Sequence, residues 1–368
     1  MPKILIAALP ITGIFSATEA ASHLTRLIRS HNRTLANNDI VQLPLVDGGE
    51  GTIDFLVTHT LGSFLEVEAT GAQGQEEVVP LGFAGEDGKL AIIGLERVAG
   101  VSKIGDSGTT YGIGELIRDS LDEGAFSVLL GHNEPIAADA GLGAVSALGV
   151  KFLNAGGSPI AMNILGVDLA DIAGVDVSGR SFELLSSRFY VAQSQRAASS
   201  KPSTQLLSEL ERLATIILRD ASIHASTENL SASAVEFGLR AFLGAEVRDG
   251  GMLVLEASRI EEDIASGTFD SLLIFANDEA QLNSEHVQKL LASAHKFKRS
   301  AYVFYRKTEK DAAVTVSQTE LVVHSLQDVK LFQQPLTDGA SAETIRRDLL
   351  MRLEKLVPSL IHDVNTIA

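Results

Sequence analysis

The sequence predicts an α/β protein in which a parallel-sheet domain is split by an inserted mixed α/β domain. Three observations predict this. The chain opens strand, helix, strand, helix; from Phe64 the texture turns to short alternating strands and turns; after Gly267 buried strands and amphipathic helices return.

Lys3 to Ala8 is a continuous apolar run of the kind a strand buried on both faces requires. Ser16 to Arg29 then places Ala20, Ala21, Leu24, Leu27 and Ile28 at helical spacing. Asp39 to Leu43 is a second strand, and after Pro44 to Asp47 a helix carries Ile53, Leu56 and Val57 inward. Phe64 to Ala69 alternates, and the turns at 71–74 and 85–88 separate it from a strand at Leu90 to Gly94. Gly112 to Glu123, Gly141 to Leu148 and Leu206 to Arg219 read as helices, and Ser127 to Leu130 as a buried strand. Gln193 to Thr204, poor in apolar residues, reads as an exposed, mobile loop. The C-terminal part offers strands at Phe269 to Phe275, Ala301 to Tyr305 and Leu321 to His324. Its helices fall at Ser284 to Phe297 and about 342–362. The expected domains are residues 1–63 with 268–368, and 64–267.

The 368 residues are 45% hydrophobic and 21% charged, which suits a folded globular chain. No apolar run approaches the roughly 20 residues of a membrane span. With no cysteine there is no disulfide, thiolate metal site or cysteine nucleophile, and a cytoplasmic location fits best. Thirty basic against 47 acidic residues, a net charge of −17, argue against nucleic acid and anionic lipid as partners. The same charge repels small anionic ligands, so a site for one needs placed donors, a metal ion or a few cations. The nine histidines show no metal-binding spacing, and we assign none to catalysis.

The most informative segment is Leu43-Pro44-Leu45-Val46-Asp47-Gly48-Gly49-Glu50-Gly51-Thr52, between a strand end and a helix start. Glycines there cost helix stability, about 1 kcal/mol each, so close backbone approach to a ligand is one explanation. Strand carboxyl ends and helix N-termini are where α/β folds bind anions. The alternative is that Asp47 caps the helix and Glu50 completes a capping box.

This segment closely resembles the corresponding loop of bacterial glycerate kinases of the glycerate kinase I type. Further stretches extend the resemblance along nearly the whole chain: Thr109-Thr110-Tyr111-Gly112-Ile113-Gly114-Glu115, Asp139-Ala140-Gly141-Leu142-Gly143, and Ala241-Phe242-Leu243-Gly244-Ala245. The resemblance implies a flavodoxin-like domain from both chain ends, an inserted α/β domain and a cleft between them. It further implies ATP-dependent phosphorylation of glycerate to phosphoglycerate, with Mg2+ and ATP required. Asp47, Glu50 and Asp139 would be catalytic. Gly48, Gly49, Gly51 and Thr52 would bind substrate, and Gly141 and Gly143 the nucleotide. Both a homo-oligomer and pairing with an active paralogue are compatible with it.

Several family motifs are missing. The first loop, Asp-Ser-Phe-Lys-Gly-Ser in the family, is Leu9 to Ser16 here, without the acid or the lysine. Gly-Gly-Ser-Ala-Thr-Asn is replaced by Asn133-Glu134-Pro135-Ile136-Ala137-Ala138, and Gly-Ala-Ala-Gly-Gly by Ser231-Ala232-Ser233-Ala234. The Thr-Gly-Glu-Gly-Arg-Ile-Asp stretch becomes Phe275 to Gln281, without the arginine, although Asp278 is an acid there. Phosphoryl transfer relies on placed charge and donors, so weak or altered activity is expected. The rival reading is a catalytically silent paralogue that serves as a ligand-binding or regulatory subunit.

Overall fold

The computed structural model describes residues 3–10, 15–31, 39–49, 51–85, 87–99, 108–133, 139–163, 168–276, 279–305 and 322–325. Glu50, residues 134–138, Asp278 and the helix expected at 342–362 lie outside the described residues. The chain forms two compact units, residues 1–46 with 259–368, and residues 47–258. These boundaries stand at 46/47 and 258/259, against 63/64 and 267/268 in the sequence expectation.

The first unit opens with β1 (Ile4–Ala8), α1 (Ala17–His31) and β2 (Ile40–Pro44). Every residue of β1 is buried, as its unbroken apolar run requires. A capping box begins α1: the Ser16 amide donates to Glu19 Oε2 at 3.0 Å and the Glu19 amide donates to Ser16 Oγ at 3.2 Å.

The second unit follows with α2 (Thr52–His59), β3 (Ser63–Thr70), β4 (Glu76–Ala84), β5 (Leu90–Gly94), α3 (Leu95–Ala99), α4 (Tyr111–Asp122), β6 (Ser127–His132) and α5 (Leu142–Ala147). It continues through β7 (Lys151–Leu153), β8 (Gly174–Asp176), α6 (Phe182–Ser186), β9 (Arg188–Gln193), α7 (Gln195–Ser199), α8 (Thr204–Ala221), α9 (Val235–Leu243), β10 (Glu246–Asp249) and α10 (Gly250–Ser258). Its six-stranded sheet runs β10-β9-β6-β5-β4-β3. The strands from β10 to β5 are parallel, whereas β4 runs antiparallel to both β5 and β3. One core lies between this sheet and α4, α5 and α9, where Val128, Leu130, Ile113, Ile117 and Leu239 meet. A second core joins β7 and β8 to α8 and α9 through Phe152, Val175, Leu213 and Phe237.

The chain returns to the first unit with α11 (Ile260–Ser266), β11 (Ser271–Ala276), α12 (Glu279–Leu282), α13 (Glu285–Lys296), β12 (Ser300–Tyr305) and β13 (Val322–Ser325). Its all-parallel sheet runs β13-β12-β11-β1-β2. By order of appearance within the unit, that is the flavodoxin-like arrangement 2-1-3-4-5. The expected α/β class, with a parallel sheet from both chain ends and an inserted mixed unit, is what the structure has.

The segment after Gln193 is exposed for the most part, as expected, but it is not an irregular loop, since it carries α7 and the start of α8. Ser194 is fully buried and caps α7 by accepting from the Ala197 amide at 3.2 Å, and Ser203 caps α8 by accepting from the Leu206 amide at 3.1 Å. Two of the segment's serines, Ser194 and Ser203, are helix N-caps.

Candidate active site

All candidate site residues that are described belong to the second unit, at the carboxyl ends of β6 and β9 and the helix starts around them. The Asp47–Thr52 loop is laid across those strand ends by its glycines. Gly48 has φ +97°, and a Cβ there would lie 2.1 Å from the Ala192 carbonyl oxygen, at the end of β9. A Cβ on Gly131, in β6, would lie 2.5 Å from the Gly48 oxygen, and one on Gly250, at the start of α10, 1.8 Å from the Asp47 oxygen. A side chain at any of these three positions would push the loop off the sheet. Ligand approach is therefore not needed to explain Gly48: the backbone it approaches is the protein's own.

Gly51, at φ +85°, is the N-cap of α2 and has no side chain with which to cap it. The N-cap position of α2 is thus Gly51, four residues after Asp47. Thr52 is buried, and its Oγ1 accepts from the Gly48 amide at 3.2 Å, closing the loop on itself. Gly49 faces the Asn133 side chain, whose Cγ would be 2.8 Å from a Cβ at that position.

Asp139 is buried and organises a separate cluster. Its carboxylate accepts from the Thr110 amide at 2.7 Å, the Thr110 hydroxyl at 3.0 Å, the Gly141 amide at 3.1 Å and the Gly143 amide at 3.3 Å. Burial raises its pKa, and these hydrogen bonds oppose the rise. Both oxygens are engaged, so Asp139 as placed is a clamp between the starts of α4 and α5 and does not fit a metal-ligand role. The two glycines are needed for packing: a Cβ on Gly141 (φ +78°) would lie 2.3 Å from the Val235 oxygen, and one on Gly143 2.5 Å from Asp139 Oδ2. Among the described residues no group of three or more His, Cys, Asp or Glu could hold a metal ion.

The sequence reading missed a buried polar network on the α9 side of the sheet edge. His132, the last residue of β6, and Glu236, in the first turn of α9, are both fully buried, with His132 Nε2 3.2 Å from Glu236 Oε1. His132 Nε2 also lies 3.0 Å from Ser231 Oγ. Glu236 accepts from the Ser231 hydroxyl at 2.9 Å, the Ser231 amide at 3.3 Å and Gln193 Nε2 at 2.8 Å. Burial would raise the Glu236 carboxyl. The hydrogen bond and charge interaction from His132, helped by Ser231, outweigh it and hold the group below its usual range. No spacing motif marks this pair, because its members are 104 positions apart in sequence (236 − 132). The departures from the family's glycine-containing stretches at 133–138, directly after His132, and at 231–234, which supply Ser231, were the available signal.

The fold and this strand-end loop define a two-unit α/β protein whose second unit presents a glycine-built loop at the carboxyl ends of parallel strands. The glycerate kinase family model matches residues 4–194, just over half of the chain. The glycerate 2-kinase of Escherichia coli (strain K12) is 29% identical over 289 residues, 71% of this chain and 74% of that protein. The glycerate kinase of Haemophilus influenzae is 35% identical over 181 residues, 48% of this chain and 46% of that protein. A crystal structure described as a candidate glycerate kinase 2 from Salmonella typhimurium LT2 superposes with a TM-score of 0.71 at 23% identity. It covers 99% of both chains and shows the same fold. The chain belongs to the glycerate kinase family.

Proposed function

We propose that this chain transfers the γ-phosphoryl group of Mg–ATP to a hydroxyl of glycerate, with activity weakened or altered relative to its relatives by the missing motifs. In the transfer the acceptor oxygen bonds to the γ-phosphorus, the bond from that phosphorus to the bridging oxygen breaks, and ADP and a proton leave. Family membership over residues 4–194 is the observation that carries the reading. The Asp47–Thr52 loop supports it, because its glycine contacts fix it at the carboxyl ends of parallel strands, where α/β folds place ligands.

In this reading Asp47 and Glu50 act at the acceptor end, with Gly48, Gly49, Gly51 and Thr52 binding the substrate there. Asp139, Gly141 and Gly143 build the nucleotide side, Asp139 by holding the starts of α4 and α5 in place. The missing first-loop lysine, the altered 133–138 turn and the missing arginine each remove a charge or donor worth about 3–4 kcal/mol of transition-state stabilisation where such groups act.

ADP release from Mg–ATP with D-glycerate, for the native protein and an Asp47→Ala variant, tests the reading. Turnover near about 1 s⁻¹ that the variant loses supports a kinase, since enzymes commonly lie at or above that rate. Turnover that is absent, or untouched by the variant, sinks it.

A second reading, a silent ligand-binding or regulatory subunit, is favoured by the His132–Glu236 network. Ser231, in a stretch that the resemblance implies to be glycine-rich, bonds here to Glu236 and lies beside His132 Nε2. Ligand binding without turnover is its signature.

A further inference from the structure

At the ends of β6 and β9, two neighbouring residue pairs reach to opposite sides of the sheet. His132 and Gln193 both hold Glu236 on the α9 side. Asn133 and Ser194, one residue further on, lie beside the glycine loop: the Ser194 hydroxyl is 3.1 Å from the Asn133 carbonyl oxygen and 3.0 Å from its Oδ1. The Ser194 amide adds a hydrogen bond to the His132 carbonyl oxygen at 2.9 Å. Asn133 is therefore fixed from both sides, by the buried His132–Glu236 contact at the preceding residue and by a buried serine across the strand gap.

Its amide is used at one end only. Oδ1 accepts from Ser194, whereas Nδ2 has no hydrogen-bond partner among the described residues. The side chain is half-buried and packs on Gly49, where a Cβ would be 2.8 Å from Asn133 Cγ and 2.9 Å from Oδ1. A fixed carboxamide that presents two N–H groups beside a strand-end loop is a donor for an anionic oxygen. It is also uncharged, so it is compatible with a carboxylate-bearing ligand without a strong ion pair to desolvate.

We propose that Asn133 Nδ2 is a specificity-determining contact of this site, donating to a carboxylate oxygen of the small acid acceptor. Ser194 and the His132–Glu236 pair act as positioning residues. The inference rests on the phosphotransferase reading for the identity of the acceptor. A phosphoryl oxygen of the nucleotide offers the same acceptor chemistry, so the experiment separates the two sources.

Asn133→Asp changes little in shape but replaces the donors with acceptors; Asn133→Ala removes both. For native protein and each variant, KM for D-glycerate and for Mg–ATP would be measured by ADP release. D-glycerate affinity would be measured by calorimetry, and folding checked by circular dichroism. We expect D-glycerate affinity to fall at least about tenfold in Asn133→Asp, the worth of one charge-assisted hydrogen bond, with KM for Mg–ATP within about twofold of native. Ser194→Ala should shift the same D-glycerate parameters in the same direction and by less. Unchanged D-glycerate affinity in both folded Asn133 variants overturns the proposal, as does a loss confined to Mg–ATP. Native protein that binds D-glycerate without turnover overturns the kinase reading alone, and the calorimetric comparison still decides the contact. Native protein that binds no D-glycerate overturns both.

Discussion

His132 and Glu236 form a pair in which neither member tolerates loss of the other. Glu236 holds a negative charge at full burial only because Ser231, Gln193 and His132 all donate to it. Removing one partner of such a pair typically costs about 3–5 kcal/mol, so His132→Leu should lower unfolding free energy by that order in urea denaturation at pH 7. The pH dependence has a definite sign. Glu236 is held below its usual 4.5, so the folded state binds its proton less readily than the unfolded chain. Its contribution is complete above pH 4.5 and is lost as pH falls through the lower folded value. The stability gap between native protein and Glu236→Gln should therefore narrow on acidification below pH 4.5; a gap that stays constant there would contradict the assignment. Asp139 works the other way. Held above 3.8 by burial, its contribution is complete below pH 3.8 and declines as pH rises through the higher folded value. Asp139→Asn leaves the amide donors of Thr110, Gly141 and Gly143 competing for a single side-chain oxygen. We expect a loss of about 1–3 kcal/mol, read from thermal or urea melts.

At the scale of elements, the glycine loop and the helix caps decide how the second unit's strand ends are covered. Gly48→Ala meets both a left-handed backbone and the Ala192 oxygen at 2.1 Å. The backbone strain alone costs about 1–3 kcal/mol, and the collision adds to it, so this variant should lose the loop before it loses the sheet. Amide exchange would show this as early exchange in 47–52 with β6 and β9 still protected, whereas uniform protection would count against a packing role for Gly48. The N-cap of α8 is a milder case. Ser203→Ala removes the 3.1 Å hydrogen bond from the Leu206 amide and should cost about 1 kcal/mol, with the fold intact by circular dichroism.

For the whole molecule, the order of the first sheet carries a consequence for assembly. β1 lies between β2 and β11, so the strand formed by the first residues finds one neighbour nearby and the other only after the entire second unit has been made. Residues 47–258, by contrast, contain a complete six-stranded sheet and two cores of their own. That segment expressed alone should unfold cooperatively in urea, while residues 1–46 alone should show no cooperative transition. A segment 47–258 that is unstructured by circular dichroism would show that its cores do not suffice.

The sequence by itself determined the α/β class, the split parallel domain and the place of the strand-end loop. Runs such as Ile4–Ala8 and the 3.6-residue spacing of α1 and α8 are local signals, each readable within one element. It also gave the family, because Asp47 to Thr52 and Asp139 to Gly143 are contiguous. Only the tertiary structure decided what those residues do. Gly48 is explained by the Ala192 oxygen, Asp139 is occupied by donors from two helices, and Ser194 is a buried cap. Asn133, Ser194, His132 and Glu236 come together only when β6, β9 and α9 are side by side. Burial and hydrogen bonding are properties of such neighbours, and neighbours distant in the chain leave no periodicity to read.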